Sequence, residues 1–589
     1  MDIFSLFTLC GGLAFFLFGM STMSSSLEKL AGGRLEQMLK KMTGNLFKSL
    51  LLGAGITIAI QSSSAMTVML VGLVNSGIMN LGQTVGVIMG SNVGTTLTAW
   101  ILSLSGIEGD VIWLKLLKPE VFSPVIALAG VIMTMSARKT RTRGAGSIMV
   151  GFAILMTGME LMKNAMSPLA DMPEFSSILT AFTNPFLGVA VGALFTGVIQ
   201  SSAASVGILQ ALSLTGNITY GMALPIIMGQ NIGTCVTALL SSIGVNRNAR
   251  RVSVIHISFN LIGTAVCLAA FYGTDLIFHY AFMDASIGPA GIAMVHSIFN
   301  IATTLLLLPF TRQLEKLAYL VVREDAGKKE EKFAFVDERL LATPSVAIAE
   351  CANKTVEMAH LAEKTILTSL ALLEKYEEKT ADAVIQNEDK LDLYEDQLGT
   401  LLVHLSGKSL SDEDSRNISK QLHTIGDFER IGDHAVNLLK TAQEIHQKGI
   451  RFSGPASEEL RVLLDALKEI LSLTTRAYAQ GDLRMAASVE PLEQVIDGLV
   501  ADIKSNHIAR LQKGHCTIEM GFVLSDLLTN CERVSDHCSN IAVAQIETAL
   551  NAYQAHEYLN ALKTGSDADF RAAFDSYRTR FAVVQESMG

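Results

Sequence analysis

Gln61-Ser62-Ser63-Ser64-Ala65 returns 139 residues later as Gln200-Ser201-Ser202-Ala203-Ala204, each copy inside a long apolar run without a charge. The register holds on both sides. Downstream, Gly90-Ser91-Asn92-Val93-Gly94-Thr95-Thr96 answers to Gly229-Gln230-Asn231-Ile232-Gly233-Thr234-Cys235. Upstream, Gly12, Ala14, Gly19 and Met20 answer to Gly151, Ala153, Gly158 and Met159. Between Gln61 and Ser103, 17 of 43 positions equal their partners in Gln200–Ser242, so one unit has been used twice. Apolar segments at matched places in two halves, each interrupted by Gly and polar residues, are the sequence sign of a secondary transporter's binding site.

Charge divides the 589-residue chain. Residues 1–320 carry 17 Lys+Arg against 12 Asp+Glu, a net of +5; the rest carries 29 against 44, a net of −15. The first part reads as a membrane domain and the second as an acidic soluble one. Nucleic acid is excluded as a partner of the acidic part, because phosphate-backbone contact needs clustered Lys and Arg. Met1-Asp2-Ile3 lacks a basic leader, so Phe4–Met23 reads as a retained membrane segment. Cys531 and Cys538 are seven apart, without the close spacing of a zinc site, and read as reduced core cysteines.

Apolar segments fall at about 3–23, 46–77, 82–104, 120–137, 145–163, 186–215, 221–244, 252–271 and 288–310. Most suit one bilayer crossing of about 20 residues. The two that hold the Gln-Ser-Ser motifs have about 30, or about 45 Å of helix, too long for one crossing and too short for two. A re-entrant hairpin with its tip at the motif fits best; a long tilted helix with a central break is the alternative. Basic residues test the count. Lys29, Arg34, Lys40, Lys41 and Lys48 form one cluster, and Arg138, Lys139, Arg141 and Arg143 a second. Arg247, Arg250 and Arg251 form a third, and Arg312, Lys316 and Arg323 a fourth. If both hairpins return to their side of entry, all four clusters land on one face, the cytoplasmic one by the positive-inside rule. The N-terminus is then outside and the acidic part cytoplasmic. The hairpins enter from opposite faces, which is inverted-repeat topology.

No Asp, Glu, Lys or Arg occurs between Lys48 and Glu108 or between Glu174 and Arg247. A proton-driven transporter places a carboxylate or histidine in the membrane; here the shared polar groups are amides, hydroxyls and unwound backbone. Neutral oxygens suit sodium, with Gln61, Asn92, Thr95, Gln200, Asn231 and Thr234 as candidate ligands. Backbone N–H groups at a helix start, with Ser hydroxyls, suit an oxyanion, and Ser62, Ser63, Ser64, Ser201 and Ser202 are the candidates. His256-Ile-Ser-Phe-Asn260 and His296-Ser-Ile-Phe-Asn300 form a weaker echo that fits helix–helix hydrogen bonding at least as well as a cavity.

At these residues the sequence resembles the type II sodium/phosphate cotransporter family, over about 1–320. The resemblance implies inorganic phosphate as substrate and sodium as the coupling ion. Ala203 stands where the first copy has Ser64, so it leaves the ligand set.

A polar linker spans about 321–344. Beyond it, apolar residues recur at three- and four-residue intervals, as in Leu391, Leu398, Leu401, Leu402 and Leu405, which argues for a bundle of long amphipathic helices. This part is duplicated too: Asp427-Phe-Glu-Arg-Ile-Gly-Asp-His-Ala-Val-Asn437 matches Asn530-Cys-Glu-Arg-Val-Ser-Asp-His-Cys-Ser-Asn540, 103 residues on. Four pairs, Glu388/Asp392, Glu429/Asp433, Glu493/Asp497 and Glu532/Asp536, put two carboxylates on one helix face, where they repel unless a cation intervenes. Facing helices can then build carboxylate metal sites. The pattern resembles PhoU, a two-repeat helical regulator of phosphate uptake, over about 345–550. The resemblance nominates the eight carboxylates for a divalent or iron-type metal, with His434 and His537 as optional ligands. Residues 551–589 read as a helical tail.

The expectation is an all-α, multi-pass protein of the cell (inner) membrane. Repeats at about 3–141 and 142–280 and an extra segment at 288–310 form a sodium-coupled phosphate symporter. A PhoU-like helical bundle regulates it; a second copy of the chain or phosphate-signalling proteins are the partners this leaves open. A membrane-anchored phosphate sensor without net transport is the alternative. An enzyme is disfavoured, since no nucleophile–base set, phosphate-binding loop or zinc spacing is present.

Overall fold

The structure, a computed structural model, describes residues 3–31, 45–76, 79–106, 118–137, 139–170, 183–323, 337–408, 410–550 and 568–583. Arg34, Lys40, Lys41 and Arg138 of the basic clusters, and most of the polar linker, lie outside the described residues. The described chain is helical, with one isolated bridge between Thr219 and Ser286 outside the helices and turns. It divides into two compact units near Ala347, with Leu410–Asp412 grouped with the first.

In the first unit the helices are α1 (Ile3–Ala31), α2 (Leu46–Ile60), α3 (Ser63–Asn75), α4 (Leu81–Ser103) and α5 (Pro119–Ser136), then α6 (Thr140–Ala170), α7 (Pro185–Ile199), α8 (Ser202–Ser213), α9 (Tyr220–Gly233), α10 (Cys235–Ser241) and α11 (Arg247–Phe278). The unit ends with α12 (Pro289–Leu307) and α13 (Thr311–Val321). The 139-residue offset reappears in the helix bounds: α2 begins at 46 and α7 at 185, α3 at 63 and α8 at 202. Six stretches are long and apolar enough to cross a bilayer: Phe4–Leu30, Leu81–Gly106, Arg141–Met166, Tyr220–Ser241, Arg247–Phe278 and Pro289–Val321. The chain is a multi-pass membrane protein.

The half-helices α2 and α3 have 15 and 13 residues, too short for about 30 Å of hydrocarbon. Glycine contacts show how they run. A Cβ on Gly90 would meet the Leu50 carbonyl, and one on Gly94 the Ala54 carbonyl, so α4 climbs alongside α2 in the same direction. Since α3 leads from the top of α2 to the foot of α4, it must run back down. The pair is a re-entrant hairpin. The second copy repeats this contact for contact, with Gly229 on Val189 and Gly233 on Ala193. Only glycine allows such approach between apolar helices, where packing rather than water drives association.

The same logic gives the inversion. Gly12 of α1 lies against Gly158 of α6, and Gly19 against Gly151. Partner numbers fall as α1 advances, so α1 and α6, equivalent helices of the two repeats, run antiparallel. Phe16 and Leu155, also equivalent, are fully buried in one core cluster beside this crossing. The two hairpins therefore enter from opposite faces. The short α13 was not read from sequence; Arg251 holds its end by donating to the Val322 carbonyl (3.1 and 2.9 Å) and stacks on Tyr319.

The second unit is built from α14 (Pro344–Glu374), α15 (Glu378–Ser406), α16 (Asp412–Lys448), α17 (Gly454–Gln480), the short α18 (Leu483–Ala487), α19 (Val489–Gln512) and α20 (Ile518–Leu550). α21 (Ala568–Arg580) follows it. Its core is lined by Leu391, Leu398, Leu402, Phe428, Leu463, Leu467, Ile496 and Leu528, each almost wholly buried, at the spacing that sequence periodicity requires. Cys531 and Cys538 are buried and unbridged. A bidentate pair, Arg510–Glu459 at 2.7 Å, is buried between α19 and α17, with Asn506 donating to the same carboxylate.

Candidate functional site

Each hairpin tip is made by one backbone device. α2 ends at Gln61 (φ 58°) and α7 at Gln200 (φ 59°), both left-handed. Among the described residues only His279 joins them as a non-glycine at positive φ. Such a conformation costs on the order of 1 kcal/mol and persists where surroundings enforce it, commonly at functional sites. The next residue is extended and caps the following helix: Ser62 Oγ accepts from Ala65 N (3.1 Å) and Ser201 Oγ from Ala204 N (3.2 Å). The first N–H groups of α3 and α8 therefore lie outside the helix ladder, where they are able to donate to an anion.

The side chains of the two tips are in unlike states. Gln61 is 8% exposed; its Nε2 donates to the Ile58 carbonyl (2.7 Å) and its Oε1 accepts from Thr98 Oγ1 (2.8 Å). Gln200 is exposed, and Thr237, the residue equivalent to Thr98, has a buried hydroxyl without a hydrogen-bond partner. One Gln–Thr bond is made and its counterpart is broken. Thr98 and Thr237 were missed as site residues, although both are identical positions within the matched repeat and lie 37 residues after their glutamines.

The remaining candidates lie on α4, α9 and the α9–α10 junction. Asn92 is buried and donates to the Ile88 carbonyl (3.0 Å), leaving its amide oxygen as the end able to ligate. Thr95 and Thr234 are buried and donate back to the carbonyls of Ser91 (3.0 Å) and Asn231 (2.6 Å). Asn231 is tied sideways: it donates to Asn300 Oδ1 (2.7 Å), and His296 Nε2 lies 3.3 Å from its oxygen. The echo containing His296 and Asn300 thus joins α12 to the second repeat. Thr57 donates to Ser91 Oγ, tying α2 to α4, and Thr196 to Ser205 Oγ, tying α7 to α8 within the second hairpin, both at 2.7 Å. Ser63 and Ser202 are buried, while Ser62, Ser64 and Ser201 are half-buried.

In the helical unit the carboxylates gather by repeat. Glu388, Asp392 and Asp433 bring one oxygen each within 4.8 Å of one another, and so do Glu493, Asp497 and Asp536. Glu429 and Glu532 lie outside these triads. Burial and then Asp433 and Asp392 push the Glu429 carboxyl up to about 7, while Glu532 faces Lys504 at 3.4 Å. Burial, then Asp536 and Glu532, push Asp497 up to about 6. Burial, then Asp392 and Asp433, raise the Glu388 carboxyl, and burial, then Asp433 and Asp389, raise that of Asp392. An all-oxygen donor set that resists ionisation without a cation fits a hard or iron-type metal. The histidines instead tie the repeats together: His434 Nδ1 bonds Asn530 (2.8 Å) and His537 Nδ1 bonds Asp427 (2.9 Å), a reciprocal pair across the 103-residue offset.

The Na+/Pi-cotransporter family matches residues 15–164 and 158–290, and the PhoU domain matches residues 355–442 and 460–544. The first unit carries the Na+/Pi-cotransporter domain, and the second carries PhoU domains. A protein of Salmonella typhimurium described as "Putative inorganic phosphate export protein YjbB" is 23% identical over 563 residues, covering 94% of this chain and all of that protein. "Uncharacterized protein YqeW" of Bacillus subtilis is 26% identical over 311 residues, 53% of this chain and 96% of its own. A "Phosphate-specific transport system accessory protein PhoU homolog" of Xylella fastidiosa is 23% identical over 190 residues, 32% of this chain and 78% of its own. The cotransporter-family unit thus holds both Gln-Ser-Ser tips, and the two PhoU matches contain one carboxylate triad each.

Proposed function

We propose that the chain couples movement of inorganic phosphate to sodium by alternating access, under control of its PhoU unit. The observation that carries this reading is the pair of equivalent Gln–Thr contacts, bonded at Gln61–Thr98 and open at Gln200–Thr237. Inverted repeats alternate by exchanging conformations about a central site, and an exchange requires that equivalent contacts differ at any one time.

In this reading phosphate sits between the tips, held by the N–H groups that open α3 and α8 and by Ser62, Ser63, Ser64, Ser201 and Ser202. Sodium travels as co-substrate on the neutral oxygens of Gln61, Asn92, Thr95, Gln200, Asn231 and Thr234. Its charge offsets that of phosphate in a region without basic side chains, and this favours the loaded protein as the form that moves. The basic clusters support a cytoplasmic PhoU unit and an outside N-terminus. In the PhoU unit, Glu388, Asp392 and Asp433, with Glu429 nearby, and Glu493, Asp497 and Asp536, with Glu532 nearby, would hold a metal. Bound there, it would neutralise each carboxylate cluster and draw its helices together.

Uptake of labelled phosphate into proteoliposomes tests the reading. Uptake should require sodium and fall to background in Gln61→Ala and Gln200→Ala; equal uptake with potassium in place of sodium rejects it. The end-to-end match to a relative named for phosphate export supports efflux as a second reading of direction. Vesicles loaded with phosphate, with the sodium gradient reversed, decide between the two. Equilibrium binding without counterflow would instead identify a sensor.

A further inference from the structure

The C-terminal end of the linker does not run free. Leu340 is fully buried, and its Cδ2 occupies the space that a side chain at Gly72 of α3 would fill. Asp337, 3% exposed, accepts from Asn75 Nδ2 (2.6 Å) at the end of α3, and Arg339 pairs with Asp337 (3.1 Å). Arg339 also donates to the Ile243 carbonyl in the turn between α10 and α11. Asn75 and Asn246 complete the clasp: the Asn246 N–H donates to Asn75 Oδ1 (2.8 Å), and its side chain donates to the Asn75 carbonyl (2.9 Å).

Gly72 and Asn75 belong to the first repeat and Ile243 and Asn246 to the second, so the segment bridges the two halves. The repeat has diverged at the docking positions. Ala211 and Leu214 stand where Gly72 and Asn75 stand in the first copy, and Ala211 packs instead into the core cluster that contains Phe16 and Leu102. The second hairpin has no equivalent slot.

We propose that residues 337–343 form a strap that clamps the first hairpin to the second repeat and slows its movement. Because α14 starts at Pro344, directly after the strap, the PhoU unit acts on transport by seating or withdrawing it. α3 is the lever: its 13 residues, about 20 Å long, run from the strap at Asn75 to the Ser62–Ser63 tip. Withdrawal frees a helix whose other end forms half of the site, which is a two-state element biased from a distance. The proposal rests on the transport reading above.

The test uses the full chain with Leu340→Ala, Arg339→Gln and Asn75→Leu, the last installing the residue of the second repeat. Sodium-dependent phosphate flux should rise at least five-fold, the lower end of typical coupling between sites. Amide hydrogen exchange at Gln61–Ala65 should quicken in all three variants, with or without phosphate and sodium. Unchanged exchange with wild-type flux, or a flux that falls while exchange is unchanged, overturns the strap. Quickened exchange in a protein that carries no phosphate even as wild type supports the strap and rejects the transport reading alone. Arg339→Gln removes no buried apolar group, so it keeps the test sound if Leu340→Ala unfolds.

Discussion

Replacing Thr98 and Thr237 by valine, one at a time, should push the transport cycle in opposite directions. The change keeps side-chain shape and removes one hydroxyl. In the state described, Thr98 donates to Gln61 Oε1 (2.8 Å), and Thr237 donates to nothing. A neutral buried hydrogen bond contributes about 1 kcal/mol net, and stranding its buried partner costs about 1–3 kcal/mol. Thr98→Val therefore disfavours this state by about 1–3 kcal/mol. At 1.4 kcal/mol per factor of ten, that shifts the balance of states by about five- to a hundred-fold. Thr237→Val removes a hydroxyl that is unpaired here and bonded in the exchanged state, so it favours this state by a similar amount. Apparent affinity scales with the fraction of competent protein, so half-saturating phosphate, measured from each side of oriented vesicles, should move in opposite senses for the two variants. The same sense for both, or no shift for either, refutes the argument that the two bonds alternate.

Other expectations concern the PhoU unit and the helix packing. The Glu429 carboxyl at about 7 and Asp497 at about 6 both lie above the ordinary carboxylate range, so the metal-free folded unit binds more protons than the unfolded chain between about pH 4 and 7. Its stability should fall as pH rises through that window, and the affinity for added manganese or iron, by calorimetry, should climb and level off above about pH 7; affinity independent of pH contradicts this. Arg510→Met strands the buried Glu459 carboxylate and should cost the PhoU unit about 3–5 kcal/mol, seen as a lower unfolding midpoint in urea. Gly90→Ala places a Cβ 1.9 Å from the Leu50 carbonyl oxygen and should lower the yield of folded protein, whereas Gly55→Ala, with open space, should not.

Much of the membrane architecture was legible because duplication writes each element twice. The hairpins followed from a length that fits neither one crossing nor two, and the inversion from basic residues gathering on one face. Thr98 escaped notice because its role depends on a neighbour 37 residues away that only the parallel climb of α2 and α4 brings near. The unlike states of Gln61 and Gln200 cannot be read from a repeat at all: identical residues say what two halves share, not which conformation each occupies. The strap was hidden for another reason, since Asn75 and Asp337 are 262 positions apart and neither carries a periodic signal. In the helical unit, spacing put carboxylates in pairs on helix faces. Which of them converge depends on how the helices rotate about their axes, and that rotation set Glu429 and Glu532 outside the triads.

The crossing of Gly12 on Gly158 and Gly19 on Gly151 uses the same residues from both sides, as an isologous contact does. A surface complementary to its own inverted copy needs no covalent link between the halves. Before the gene doubled, a half-size ancestor inserted in both orientations would already have paired with itself through this seam, and fusion only fixed one orientation for each copy.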